Sequence, residues 1–150
     1  MIRLRQATIE DVIIFYKWVN DEINLRMSFS SDKISFEVHK EWFKEQLRSR
    51  EDFLLVLEID NIPVGNVRFN KEGVIGISLD KAFRGKDLGV ILIKEGIKFI
   101  QSNTKLKEIT AFIKKENIPS IRVFEKAGFI FDGDAVINKK ECFRYIYKLN

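Results

Sequence analysis

Apolar and polar positions alternate over residues 2–7, which predicts a short strand. Thr8 and Asp11 stand at capping-box spacing, so a helix is expected to begin there and run to about Asn20. Its apolar positions are Val12, Ile13, Phe15, Tyr16 and Trp18. A polar loop is expected next, to about Ile34. Ser35 can cap a second helix that carries Phe36, His39, Phe43 and Leu47 on one face. The almost wholly apolar run Phe53–Ile59 reads as a strand. Asp60-Asn61 turns the chain into a second strand, Ile62–Phe69, and Glu72-Gly73 turns it again into Val74–Leu79.

After this meander the pattern changes. Leu88–Gln101 is a strongly apolar helix, Lys107–Ile113 a strand, and Asn117–Lys126 a helix closed by Gly128. Phe129–Phe131 and Cys142–Leu149 read as two last strands. Strands first, then strand–helix–strand, predict an α/β (α+β) fold. Its sheet should be mixed and mostly antiparallel, with six to seven strands and about four helices on its faces. No Pro/Gly/Ser linker or internal repeat divides the chain, so residues 1–150 are expected to form a single domain.

Composition narrows the function classes. Thirteen phenylalanines predict an aromatic core, and 26 basic against 22 acidic residues leave a net charge of +4. Both signs are interspersed along the chain. This excess suits anionic small molecules; Lys105, Lys107, Lys114 and Lys115 come with no nucleic-acid motif, so no nucleic-acid partner is expected. The lone Cys142 can build neither a disulfide framework nor a metal cluster, and it has no visible partner set for nucleophilic catalysis. No metal site and no membrane segment are expected, and the reducing, leaderless pattern suggests the cytoplasm.

Two segments carry candidate chemistry. Ala82-Phe83-Arg84-Gly85-Lys86-Asp87-Leu88-Gly89 lies between a strand and an apolar helix. A basic, glycine-bearing loop at a helix start offers unpartnered N–H groups and a favourable dipole to an anion. The second, Glu116 to Phe129, places Asn117, Ser120 and Phe124 on one side of a helix, with Pro119 in its first turn. Read alone, this is a capped amphipathic helix.

Together and in this order, the two segments resemble the GNAT superfamily of acyl-CoA-dependent N-acetyltransferases. That family's loop reads Arg/Gln-x-x-Gly-x-Gly/Ala, and its later helix reads Asn-x-x-Ser/Ala with an aromatic four residues on. The resemblance implies acetyl-CoA as co-substrate, in a cleft where the fourth and fifth strands splay. Ile77 and Leu79 would face the cofactor, and the backbone N–H near Leu79 would hold the thioester oxygen. The loop of Arg84, Gly85, Lys86, Asp87, Leu88 and Gly89 would cradle the pyrophosphate, and Asn117, Ser120 and Phe124 would line the channel. Asp87 stands where the family has its middle glycine, and Phe124 where many members place a tyrosine acid. Gly76 independently marks a close approach within a strand.

A neutral amine should attack the thioester directly, with its proton lost to a base or water. His39 is the candidate base; Glu41, Glu58 and Glu116 remain alternatives. Tyr145 and Tyr147 are candidate acids. The stretch Trp18-Val19-Asn20-Asp21-Glu22 with Arg26, the helix bearing Trp42-Phe43, and the strand Val64–Phe69 resemble the amino-sugar N-acetyltransferases of pseudaminic acid biosynthesis. That resemblance implies a small-molecule acceptor, a UDP-linked amino-dideoxy sugar met by Asn20, Arg26 and Arg68. A protein N-terminus, a polyamine, an aminoglycoside or a non-catalytic CoA-binding module are the alternatives, and the protein is expected to be a monomer or homodimer.

Overall fold

The computed structural model describes residues 1–30 and 32–150. The elements are β1 (Ile2–Gln6), α1 (Val12–Val19), α2 (Glu22–Met27), α3 (Phe36–Arg48), β2 (Phe53–Ile59), β3 (Ile62–Phe69), β4 (Ile75–Leu79), α4 (Leu88–Asn103), β5 (Glu108–Lys114), α5 (Ile118–Lys126), β6 (Ile130–Ile137) and β7 (Lys140–Lys148). Single 3-10 turns at Ile9–Asp11 and Lys81–Phe83 precede α1 and follow β4. The mixed α/β architecture is the expected one, with seven strands and five helices among the described residues, one helix more than expected.

The strands form two sheets, ordered β1-β2-β3-β4 and β5-β7-β6, and every named pairing within them is antiparallel. The sheets meet at one parallel bridge, Val74 to Thr110. The strands alternate, so one apolar set packs on α4 and α5 and the other on α1 and α3. Leu55, Leu57, Val67 and Phe69 share the first core with Leu92, Ile93, Ile100 and Phe124. Leu54 and Val56 share the second with Val12, Phe15, Trp18 and Phe43. Trp18 and Phe43 are wholly buried, a contribution of roughly 1.5–3 kcal/mol for a side chain of the phenylalanine class.

Two expectations change. The polar loop placed between Asn20 and about Ile34 contains α2, whose first turn is capped by the Asp21 carboxylate accepting from the amides of Ile23 and Asn24. Residue 31 of that loop lies outside the described residues. The strand expected at Phe129–Phe131 runs on to Ile137 and returns through Asn138 and Lys139, both at positive φ. Such paired left-handed residues make the tight hairpin turn that matches strand twist.

Candidate active site

Thr110 N–H donates to Gly73 O at 3.0 Å, and beyond this point β4 and β5 separate into a wedge. The register shows what β4 offers to it. Asp80 N–H bonds to Val64 O, and Asn70 N–H to Val74 O. In an antiparallel ladder, residues that bond to the partner strand alternate with residues whose N–H and C=O point away. Gly76 and Ser78 therefore face β3, while Ile75, Ile77 and Leu79 turn their backbone groups outward, toward the wedge. The upper end of β4 is pinned by Asp80. Its carboxylate accepts from Trp18 Nε1 at 3.0 Å and Ala82 N–H at 3.0 Å, with Lys17 Nζ at 3.4 Å. Burial raises the Asp80 carboxyl, but these donors outweigh it and hold the group below its ordinary value.

The loop after β4 is built for exposure of its backbone. Gly85 has φ +77°, and a Cβ there would meet nothing within 4 Å. Asp87 is also left-handed, at φ +59°, and its side chain makes no capping bond to α4. It is exposed, 4.0 Å from Lys126 Nζ. An aspartate just before a helix commonly caps it; here the left-handed backbone turns the carboxylate away from the first helical turn. Lys86 Nζ lies 5.5 Å from the centre of the Phe83 ring. Arg84 bends back: its Nη2 donates to Asp21 Oδ2 at 2.6 Å and to Leu79 O at 3.1 Å. Burial pushes the Asp21 carboxyl up, and the Arg84 guanidinium with the amides of Asn24 and Ile23 more than reverses it. Gly89 is buried against α5, where a Cβ would lie 2.9 Å from Val123 Cγ1; its role in this structure is helix contact. Asn117 Oδ1 caps α5 by accepting from Ser120 N–H at 3.3 Å, and Phe124 is a core residue packed edge-on against Phe129.

The opposite face of β3 and β4, toward α1–α3, carries Asn66, Arg68, Gly76 and Ser78. The Arg68 guanidinium lies over the Gly76 α-carbon, where a Cβ would come within 3.0 Å of Cζ and Nη2. The approach predicted at Gly76 is thus made by this side chain. Arg68 is half-buried and has no acidic or hydrogen-bond partner among the described residues. Asn66 Oδ1, on the same face, is buried without a partner among them. Across the wedge, Lys114 of β5 is buried and donates to Arg26 O at 2.8 Å. Burial first, then Lys140, lowers its pKa.

The strand of chain around α2 crosses the open end of the wedge as a strap. Asp21 ties it to Arg84 on the β4 side, and Lys114 ties Arg26 O to β5. Asn138 Nδ2 in the β6–β7 turn donates to Phe29 O. Asn20, expected to meet substrate, uses both ends of its amide on the backbone of Ile34. Arg26 itself is exposed. Beside the strap, an open groove of about 550 Å³ is lined by Lys17, Asp21, Glu22, Ile23, Lys81 and Arg84.

The expected base and acid lie elsewhere. His39 is 1% exposed, packed among Tyr16, Trp42 and Phe43, with Nε2 3.0 Å from Val12 O. A carbonyl partner makes Nε2 the donor, and burial lowers the imidazole pKa against that bond. The face shared with Phe36 and Phe43 was identified correctly, but that face packs on α1. Tyr145 is buried against α5 and donates to Glu125 Oε2 at 3.0 Å; burial and then the carboxylate raise its pKa, the wrong direction for an acid. Glu58 is held by Arg3 and Arg5, and Glu41 and Glu116 are exposed. Cys142 is buried, which pushes its thiol pKa up. Sequence reasoning missed Asp80, Asp21 and Asn66. Asp21 and Asn66 did lie in the stretches that carried the amino-sugar resemblance, but no role was assigned to them.

Comparison with known proteins agrees with this geometry. The profile of the acetyltransferase (GNAT) domain matches residues 2–130. YwnH of Bacillus subtilis strain 168, provisionally assigned as a phosphinothricin acetyltransferase, is 30% identical over 154 residues, covering 94% of this chain and 90% of its own. The acetyltransferase PseH of Campylobacter jejuni is 25% identical over 143 residues, covering 89% and 88%. The crystal structure of spermidine N-acetyltransferase from Vibrio cholerae, in complex with CoA and spermine, superposes with a TM-score of 0.89 over 98% of this chain and 95% of that one, at 18% identity. Among the described residues, no helix is long and apolar enough to cross a membrane. The wedge, the loop at the head of α4 and the matched domain together make this chain a member of the GNAT acetyltransferase family, an acetyl-CoA-dependent N-acetyltransferase.

Proposed function

We propose that the chain acetylates a primary amine on an acceptor that carries anionic groups, a UDP-linked amino-dideoxy sugar being the best fit. The observation that carries this reading is Arg68, a half-buried guanidinium without an acidic partner among the described residues, on the face away from α4 and α5. A cation left unpaired in a partly desolvated place is suited to an anionic ligand, and arginine's planar fork to phosphate or carboxylate. Lys114 on the facing strand adds positive charge, which disfavours a polyamine or an aminoglycoside as acceptor. The name of YwnH supports a second candidate of the same kind, phosphinothricin, a small amino acid with anionic groups.

In this reading acetyl-CoA lies on the α4–α5 face and supplies the thioester. Gly85, Lys86, Asp87 and Leu88 offer backbone N–H groups to its diphosphate, Asn117 and Ser120 flank it, and the outward N–H groups of Ile77 and Leu79 stabilise the developing oxyanion. The amine comes from the Arg68 face. With His39 in the core, no side-chain base is assigned, and the amine reacts in its neutral form after losing its proton to water. The departing thiolate needs no strong acid, since a free thiol has a pKa of about 8.5. Arg84 remains on Asp21 unless the diphosphate draws it away.

The test is a panel of amines with acetyl-CoA, following release of the thiol: a UDP-linked amino-dideoxy sugar, phosphinothricin, spermidine, an aminoglycoside and a peptide N-terminus. The nucleotide-linked sugar is expected to give the highest kcat/KM. Preference for spermidine or the aminoglycoside would overturn the reading.

A second expectation concerns the cofactor loop. Since Asp87 is left-handed and caps nothing, Asp87→Gly relieves backbone strain and removes a like charge beside the diphosphate. CoA should bind up to about tenfold tighter, roughly 1.4 kcal/mol. Stability should change by less than about 1 kcal/mol, in the favourable direction. Calorimetric titration and thermal unfolding of both proteins check this, and weaker CoA binding by the variant would contradict it. Gly89 is unsuited to such a test, because any side chain there strikes Val123.

A further inference from the structure

We infer that Gly76 is a specificity-determining position, the seat that holds the Arg68 guanidinium at the wedge and thereby sets the charge of the acceptor. This rests on the acceptor reading above and names the residue through which it operates. Arg68 and Gly76 are directly paired across β3 and β4, and their side-chain positions face the α1–α3 side. In an antiparallel pair this close, a β-carbon on β4 would stand in the path of any side chain reaching across from β3. Here it would lie 3.0 Å from Cζ, 3.0 Å from Nη2 and 3.2 Å from Nε of Arg68. All three atoms belong to the guanidinium, so the charged group rests against the place a side chain at 76 would take. No backbone atom is among the three nearest neighbours of that position. A methyl group at 76 therefore forces the guanidinium to give by at least a few tenths of an ångström and leaves the ladder in place.

The position matters because of its neighbours along β4. Gly76 is followed by Ile77, whose N–H and C=O turn outward to the wedge, and two residues later by Leu79. At about 3.4 Å per strand residue, the guanidinium sits within roughly 10 Å of both outward amides. An anionic group bound to Arg68 is thus close to the amine that attacks there. With a methyl group in the seat, the guanidinium is held off the strand toward α1–α3, and the positive charge of the acceptor face is no longer fixed at that place. Gly76 touches no reacting atom in this account; it is a positioning residue that acts through Arg68.

The experiment compares wild type with Gly76→Ala on two amines that differ in charge alone as far as chemistry allows: a UDP-linked amino sugar and the methyl glycoside of the same sugar. The readout is the ratio of their kcat/KM values, with CoA affinity measured separately. In Gly76→Ala the ratio is expected to fall by up to about tenfold, mainly through KM of the UDP-linked sugar, the scale of a weakened charge-assisted pair. In an Arg68→Ala background, Gly76→Ala should change the ratio no further. Arg68→Met removes the guanidinium itself and gives a fall at least as large, roughly ten- to a hundredfold, which serves if Gly76→Ala does not fold. A ratio that survives Gly76→Ala or Arg68→Met, or that falls again in the Arg68→Ala background, overturns the inference. A wild type with no preference for the anionic amine instead overturns the acceptor reading beneath it.

Discussion

Gly65→Ala is expected to lose at least about 100-fold in kcat/KM and about 3 kcal/mol in stability. Gly65 pairs with Leu79, and a Cβ there would lie 2.5 Å from the carbonyl oxygen of Ser78, 3.0 Å from Leu79 Cδ2 and 3.3 Å from Leu79 Cα. Two of these are backbone atoms of the strand that offers its amides to the wedge. They cannot rotate away, so β4 itself must move. Forcing extra volume into a packed place costs about 1–3 kcal/mol or more, and a displacement near 1 Å at a reacting group costs about a hundredfold in rate. Thermal unfolding and steady-state kinetics on the same preparation check both effects. A folded Gly65→Ala protein with wild-type turnover would show that the position of Ser78 and Leu79 does not govern the reaction.

Arg5→Leu should cost about 3–5 kcal/mol at neutral pH, the usual effect of removing one partner from a buried ionic group. Arg5 reaches Asp11 through Nη1 and Nη2 at 2.8 and 2.9 Å, and Glu58 through Nε at 3.1 Å. Both carboxylates are nearly enclosed, with side chains 9% and 10% exposed. Burial raises both carboxyls, and the hydrogen bonds from Arg5, with Thr8 N–H at Asp11 and Arg3 at Glu58, hold them below their ordinary values. Groups depressed in the folded state contribute stability above their unfolded values, 3.8 and 4.5, and lose it as pH falls through the lower folded ones. The difference between wild type and Arg5→Leu is therefore full at pH 7 and closes in acid, below about pH 4. Urea unfolding at pH 7 and at the lowest pH where both proteins fold measures it. An equal difference at both would place the role of Arg5 in packing.

What could be read in advance follows how local each determinant is. The hairpin at Asp60-Asn61 was visible because such residues tolerate positive φ, which both adopt. Asn138-Lys139 makes the same kind of turn without a residue typical of its second place, so β6 was cut short at Phe131. Helix α2 has six residues and none buried; no apolar stripe announces it, and a cap and long-range ties hold it. In the site, the loop of Arg84 to Gly89 could be located by its glycine and its basic residues. The left-handed backbone of Asp87 could not, since aspartate before a helix normally signals a cap. Gly76 was marked as a close approach and Gly89 as part of a pyrophosphate cradle, but the side chains they meet, Arg68 and Val123, are set by tertiary packing. Arg84 meets Asp21 across 63 positions of sequence, a distance at which no spacing rule operates.

The strap has a consequence for how such enzymes diverge. It is fastened at its edges by polar ties, Asp21 to Arg84, Lys114 to Arg26 O and Asn138 to Phe29 O, while the residues of α2 bury none of their side chains fully. Neither apolar core depends on it. The 20–30 stretch can therefore be exchanged as a cassette, with the fastenings kept, and the domain that binds the acyl donor stays folded. Substitutions in that segment thus leave both apolar cores intact, so its sequence is freer to drift than that of the sheets beside it.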